Sequence, residues 1–246
     1  MRKIRGSLFA SLDGVVQAPG GPSEDPTGGF AHGGWLPQFF DEDVGGAIDA
    51  VFGPSYDLLL GRRTYDIFAA YWPYVGGEAT GIGEVFDKTG KDEGEAAAIQ
   101  MGEDFTRVRK YVLTRGSPEL GWSNSHRVGS MEELRAIKQG DGPDLVIQGS
   151  GTLYPQLLAR GLLDRLTLMT FPVVLGRGKR LFGDGTPPAS MRMVEHEVSP
   201  GGVIIATFEP RGEVATGSFG AMPLNAREQA RQARMRLEDA GRSGPE

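Results

Sequence analysis

Three short segments carry residue types suited to gripping phosphate. The first is Gly149-Ser150-Gly151-Thr152, between a run that reads as a buried strand and one that reads as a helix. Unpaired N–H groups and the positive end of a helix favour an anion there, although a tight turn without ligand has the same pattern. The second is Gly61-Arg62-Arg63-Thr64, again after a strand and opening a helix. Thr64 can cap the helix, the glycine lets the backbone approach a ligand closely, and the arginines offer fork-shaped donors. The third is Thr114-Arg115, at the carboxyl end of another strand. Each segment alone reads equally well as a solvated loop. Together, at three strand ends, they suit one extended phosphorylated ligand lying across a sheet edge. Neither standard nucleotide motif is present. Tyr154 occupies the place of the third glycine of G-x-G-x-x-G, and Gly178-Lys179 is followed by Arg180 with Val173 where a P-loop would begin on glycine.

Catalytic candidates are fewer. Asp13, in SLDG, is either a proton-handling carboxylate or a turn residue. His32 lies among Gly33, Gly34 and Trp35, and an imidazole titrates close enough to neutrality to deliver a proton. Phe30 and Trp35 can wall a flat heterocycle or fold onto the core. Arg177, with Lys179 and Arg180, can hold a substrate phosphate or simply line a solvated turn. Asp41, Glu42, Asp43 and Asp49 flank or enter a predicted helix, where acids commonly serve the helix dipole.

These residues need a scaffold of strands and helices in alternation. Strands are predicted over 3–12, 56–60, 110–114, 127–128, 144–148 and 166–172, with a closing hairpin at 193–199 and 203–208. Helices are predicted from Asp41 to Gly53-Pro54, over 63–71, near 95–101, over 131–138 and over 153–160. Ser130 and Glu133 form a capping-box pattern. The Gly- and Pro-rich stretch 17–35 is too long for a simple connection. The order of elements predicts an α/β fold with a mostly parallel sheet and an antiparallel end. Residues 1–210 read as one domain and 211–246 as a tail with a short amphipathic helix. Ala226, Ala230, Ala233, Leu237 and Ala240 share one face of that helix, which is either solvated or docks on a partner subunit.

Composition narrows the classes. With 32 acidic against 26 basic residues and a net charge of -6, no nucleic-acid footprint is evident. The absence of cysteine removes disulfides, thiolate nucleophiles and cysteine-ligated metals, and no metal site is expected. No apolar run reaches the roughly 18 residues a membrane span needs. The apolar N-terminal run is short and broken by Ser7, Ser11 and Asp13, so it reads as a strand and the cytoplasm is the expected location. The 38 glycines are about twice the usual ~7% and cluster in loops.

The chain also resembles a known family. SLDGVVQAPGGPSEDPTGGFAHGGW, LLLGRRTYDIFAAYWP, KYVLTR, the isolated Trp122, LVIQGSGTLYPQLL, GLLDRLTLMTFPVVLGRGKRLF and TFEP follow one another across nearly all of 3–210. In this it is similar to the dihydrofolate reductase-like reductases, specifically the C-terminal domain of the bifunctional riboflavin-biosynthesis deaminase/reductase. The resemblance implies a homodimer that transfers a hydride from NADPH to a small, heterocyclic carbonyl or imine. It implies that Arg62, Arg63, Thr114 and Arg115 hold the adenosine 2′-phosphate and that Gly149, Ser150, Gly151 and Thr152 hold the pyrophosphate. The loop at Ala10 and Asp13 to Val16, with Gly14 and Val15 between, would cover the nicotinamide, with Gly61, Thr64, Leu113, Gln148 and Leu153 completing the cofactor set. The deaminase signature H-x-E with P-C-x-x-C is absent, so the bifunctional enzyme is not expected. The alternatives are a pyrimidine reductase working beside a separate deaminase, and an NADPH-binding sensor without turnover.

Overall fold

The computed structural model describes residues 1–75, 91–220 and 225–242. Among these, eight strands form one sheet: β1 (Ile4–Ser11), β2 (Tyr56–Gly61), β3 (Lys110–Leu113), β4 (Ser125–Val128), β5 (Asp144–Gln148), β6 (Arg165–Phe171), β7 (Ser190–Val198) and β8 (Ile204–Gly212). Their order across the sheet is β4-β3-β2-β5-β1-β6-β8-β7. The first six are mutually parallel, and β8 runs antiparallel to both β6 and β7. This is the mostly parallel α/β sheet with an antiparallel end that was expected.

The helices are α1 (Glu42–Phe52), α2 (Arg62–Ala69), α3 (Lys91–Arg107), α4 (Met131–Gln139), α5 (Leu153–Leu158) and α6 (Ala226–Arg242). Asp41 caps α1 by accepting from the Val44 N–H at 3.1 Å, and Gly53 ends it. Ser130 caps α4 as expected, accepting from the Glu133 N–H at 3.1 Å, while Glu133 reaches back to Gly129 rather than to the cap residue. Helix α3 is far longer than the stretch predicted near 95–101. Residues 76–90 of the polar excursion lie outside the described residues. Helix α5 stops at Leu158, short of the predicted end, which leaves it too short for much of a dipole.

Central strands read as unbroken apolar runs because both faces are covered. Leu58, Leu59 and Leu60 of β2 and Leu145, Val146 and Ile147 of β5 are fully buried. One core layer packs Val44, Ile48, Phe52, Phe105, Met169 and Phe171 on the α1, α2 and α3 side. The other packs Ile4, Leu8, Leu134, Tyr154 and Leu157 on the α4 and α5 side. Trp122 belongs to the first layer. Its indole N–H reaches Thr106 at 3.1 Å, and its ring lies 4.4 Å from the buried Lys110 ammonium. Lys110 in turn donates to the carbonyls of Phe105, Thr106 and Val108, closing the end of α3.

The chain divides into compact units at 1–213 and 214–246. In the second, Asn225 caps α6 and Arg231 pairs with Glu228. Its alanine face is exposed. Among the described residues no helix is long and apolar enough to cross a membrane, and no cluster of potential metal ligands occurs.

Candidate functional site

Strands β3, β2 and β5 are neighbours and parallel, so the bends after them open on one edge of the sheet. Gly61 pairs in register with Leu113, which sets Arg62 beside Thr114. The bends after β2 and β5 are tied directly. The Gly61 N–H donates to Ser150 Oγ at 3.0 Å, and the Ser150 N–H donates to Thr64 Oγ1 at 3.1 Å. Residues 89 and 86 positions apart in sequence are thereby clamped into one surface.

The bend after β5 has an unusual backbone. Gly149 and Ser150 both take left-handed conformations, with φ of 67° and 51°. For Gly149 that is permitted by the missing Cβ, which would also press on the Thr64 methyl at 3.3 Å. For Ser150 it is strain, offset by the two hydrogen bonds. The N–H groups of Gly151 and Thr152, which follow in this turn, have no acceptor among the described residues. Because α5 is short, these N–H groups rather than a helix dipole make the bend suited to an anion.

The guanidinium groups differ in how free they are. Arg62 pairs with Asp66 one turn along α2, and Arg63 stands 3.9 Å from Asp25. Arg115 is exposed and makes no ion pair among the described residues. Gln148 is buried and bonded to Ser7, and Leu153 is buried under the bend. Gly151 faces Val16, which brings the loop after β1 against the same bend.

That loop is fastened from below. Asp13 accepts from the N–H groups of Leu175 at 3.0 Å and Gly176 at 2.8 Å and from Ser11 Oγ at 2.6 Å. The Ser11 bond, then the Leu175 N–H, draw its carboxyl down to about 2. Asp13 thus fastens the loop after β1 to residues 175–176, with its carboxyl ionised at neutral pH. Arg180 donates to the Asp13 carbonyl at 2.9 Å, and Val15 bridges to Arg180 as a two-residue antiparallel contact. Ala10 is buried at the end of β1. Gly14, with φ 78°, makes the turn.

A second fastening holds the 17–35 stretch. Lys179 Nζ binds Asp25 at 2.5 Å and Thr27 at 2.8 Å, and its N–H binds Gln17 at 3.0 Å. Gln17 also binds the carbonyls of Asp25 and Thr27, and its own carbonyl takes the Trp35 indole N–H at 2.9 Å. Trp35 is buried edge-on to Phe171 at 5.4 Å, and Phe30 is buried over Gly178. The two aromatics expected as a ligand wall are thus largely core. His32 stays exposed, its ring edge-on to Phe30 at 5.9 Å. Arg177 is exposed, whereas Lys179 and Arg180 are committed to the loops. Sequence reasoning did not single out Ser11, Gln17 or Asp25. Asp25 and Lys179 are 154 positions apart, and no local pattern signals such a pair.

Known proteins are similar to this chain in sequence and in fold. The "Uncharacterized protein YyaP" of Bacillus subtilis is 25% identical over 219 residues, covering 86% of this chain and 96% of that protein. The fold is shared with a protein of Shewanella sp. PV-4 that carries a provisional riboflavin-biosynthesis name, at a TM-score of 0.55 and 17% identity, covering 85% of this chain and 99% of that one. It is also shared with a diaminohydroxyphosphoribosylaminopyrimidine deaminase/5-amino-6-(5-phosphoribosylamino)uracil reductase of Thermotoga maritima, at a TM-score of 0.50 and 13% identity, covering 85% of this chain and 57% of that one. Residues 2–205 match the RibD C-terminal domain, and the chain belongs to that family.

Proposed function

We propose that this chain is an NADPH-dependent reductase acting on a small heterocyclic carbonyl or imine. One observation carries the reading: three phosphate-suited bends stand side by side on one sheet edge, two of them tied through Ser150. The N–H groups of Gly151 and Thr152 would hold the pyrophosphate. Arg115, with Arg62, Arg63 and Thr114, would hold a phosphate on the adenosine ribose. Guanidinium forks at that end, Arg115 above all since Arg62 and Arg63 have Asp66 and Asp25 beside them, favour NADPH over NADH. Bound there, the dihydronicotinamide supplies a hydride.

The chain's own contribution is to position and enclose. The loop carrying Gly14 and Val15 is held rigid by Asp13 and Arg180, and that rigidity fixes the distance between donor and acceptor. With Asp13 ionised, His32 or water at the exposed loop supplies the accompanying proton. A phosphorylated substrate would look to Arg177 in the basic loop, since Lys179 and Arg180 are engaged by Asp25 and Asp13. A homodimer, as the resemblance implies, and the cytoplasmic location expected from the sequence complete the proposal. Titration with NADPH and NADH, followed by NADPH oxidation with pterin, pyrimidine and quinonoid acceptors, tests it. Tight NADPH binding with no acceptor consumed supports a sensor instead, and no preference between the cofactors removes the arginine assignment.

A further inference from the structure

A second site lies at the other end of the strands. A cavity of about 210 Å³ opens between α1 and the first halves of β1, β6 and β8, with β7 at its rim. Arg5 lines it, and Arg5 is six positions from Ser11 along β1, or about 20 Å at the rise of a strand. The cavity is therefore separate from the bends described above.

It exists because α1 presents Ala47, Ala50 and Val51 to this part of the sheet, side chains too small to fill the space. Its floor is polar. Thr167 and Thr207 are 5% and 6% exposed, and their hydroxyls share a single bond of 3.0 Å. Two hydroxyls have two protons, so one proton is left unspent by that pair. On the adjoining wall, Arg5 Nε is buried without a hydrogen-bond partner. Asp144 stands 3.5 Å from it and balances charge, but that carboxylate is also engaged by the Lys3 N–H. Arg5 Nη2 donates to the Phe52 carbonyl at 3.1 Å, so the donors left unspent in the interior are Arg5 Nε and one threonine proton. The acids, Glu195 and Glu197, sit on the outer strand β7, exposed to solvent that screens them. A cavity of about 150 Å³ accepts benzene, so this one has room for a ring and a carboxylate.

We infer that this cavity binds a small monocarboxylate with a flat apolar body, its carboxylate on Arg5 and the threonine hydroxyls and its body against Ala47 and Ala50. Benzoate is the probe and benzamide its uncharged counterpart. Benzoate added to the full chain should perturb amide resonances of α1, β6 and β8 saturably in the millimolar range. Benzamide should bind about tenfold more weakly, because it lacks the charge-assisted bonds. Ala50→Leu, which fills the cavity, should abolish binding, and Arg5→Met should weaken benzoate to the level of benzamide. Shifts that never saturate, shifts confined to the bends at 61–64 and 149–152, or equal binding of the two probes would each overturn the assignment. The comparison of probes needs only the unaltered protein, so a variant that fails to fold does not rescue the idea.

Discussion

Ser150 performs two opposed tasks, and two substitutions separate them. Its hydroxyl accepts the Gly61 N–H at 3.0 Å, and its backbone sits at φ 51°. Ser150→Ala removes the acceptor and keeps the left-handed strain. The Gly61 N–H, half-buried at the start of α2, is then left unpaired, at a cost of about 1–2 kcal/mol. Ser150→Gly loses the same bond but releases the strain, worth about 1 kcal/mol for a residue with a Cβ. The alanine variant should therefore be the less stable of the two by about 1 kcal/mol, with glycine within about 1 kcal/mol of the parent. Urea unfolding with a constant slope measures the difference. Both variants should bind NADPH more weakly, since the bends after β2 and β5 lose one of their two ties. A glycine variant as unstable as the alanine one would refute the strain argument. Unchanged NADPH binding in both would refute the idea that the tie aligns the site.

Three further outcomes are expected. Arg115→Ala should reduce NADPH affinity by about tenfold or more with little effect on NADH, and Arg62→Ala should do less because Asp66 already occupies that guanidinium; fluorescence titration of each variant with both cofactors checks this. Gly178→Ala should destabilise by about 1–3 kcal/mol, because a Cβ there would lie 2.5 Å from the Val15 methyl and φ is 134°; a thermal melt like that of the parent would contradict it. Asp13 has its carboxyl lowered from 3.8 to about 2, so its contribution to stability is present above pH 3.8 and is lost as pH falls through 2. The parent should accordingly outlast Asp13→Asn at neutral pH, and the gap should close in acid denaturation curves between those two values.

How much was legible beforehand differs between scaffold and site. Alternation of strand and helix patterns was enough for the mixed sheet, since the buried runs at 58–60 and 145–147 have no polar face and need cover on both sides. Helix ends were legible where a cap announced them, as at Asp41 and Ser130. The end of α5 was not, because nothing local distinguishes Leu158 from Arg160 as a stopping point. The three phosphate-suited bends were recognisable from residue type and position after strands. Asp13 and Trp35 were not assignable, since a carboxylate in a turn and an indole in a glycine-rich loop serve either chemistry or architecture. Only the fold shows the Leu175 and Gly176 N–H groups on Asp13 and the Phe171 ring against Trp35. Local sequence thus determined the elements, because hydrogen-bonded periodicity and turn chemistry act between near neighbours. Strand order and the partners of each polar group belonged to the tertiary structure alone. Contacts such as Ser150 with Gly61 or Lys179 with Asp25 join residues 89 and 154 positions apart, and such contacts exist only once the sheet has brought them together.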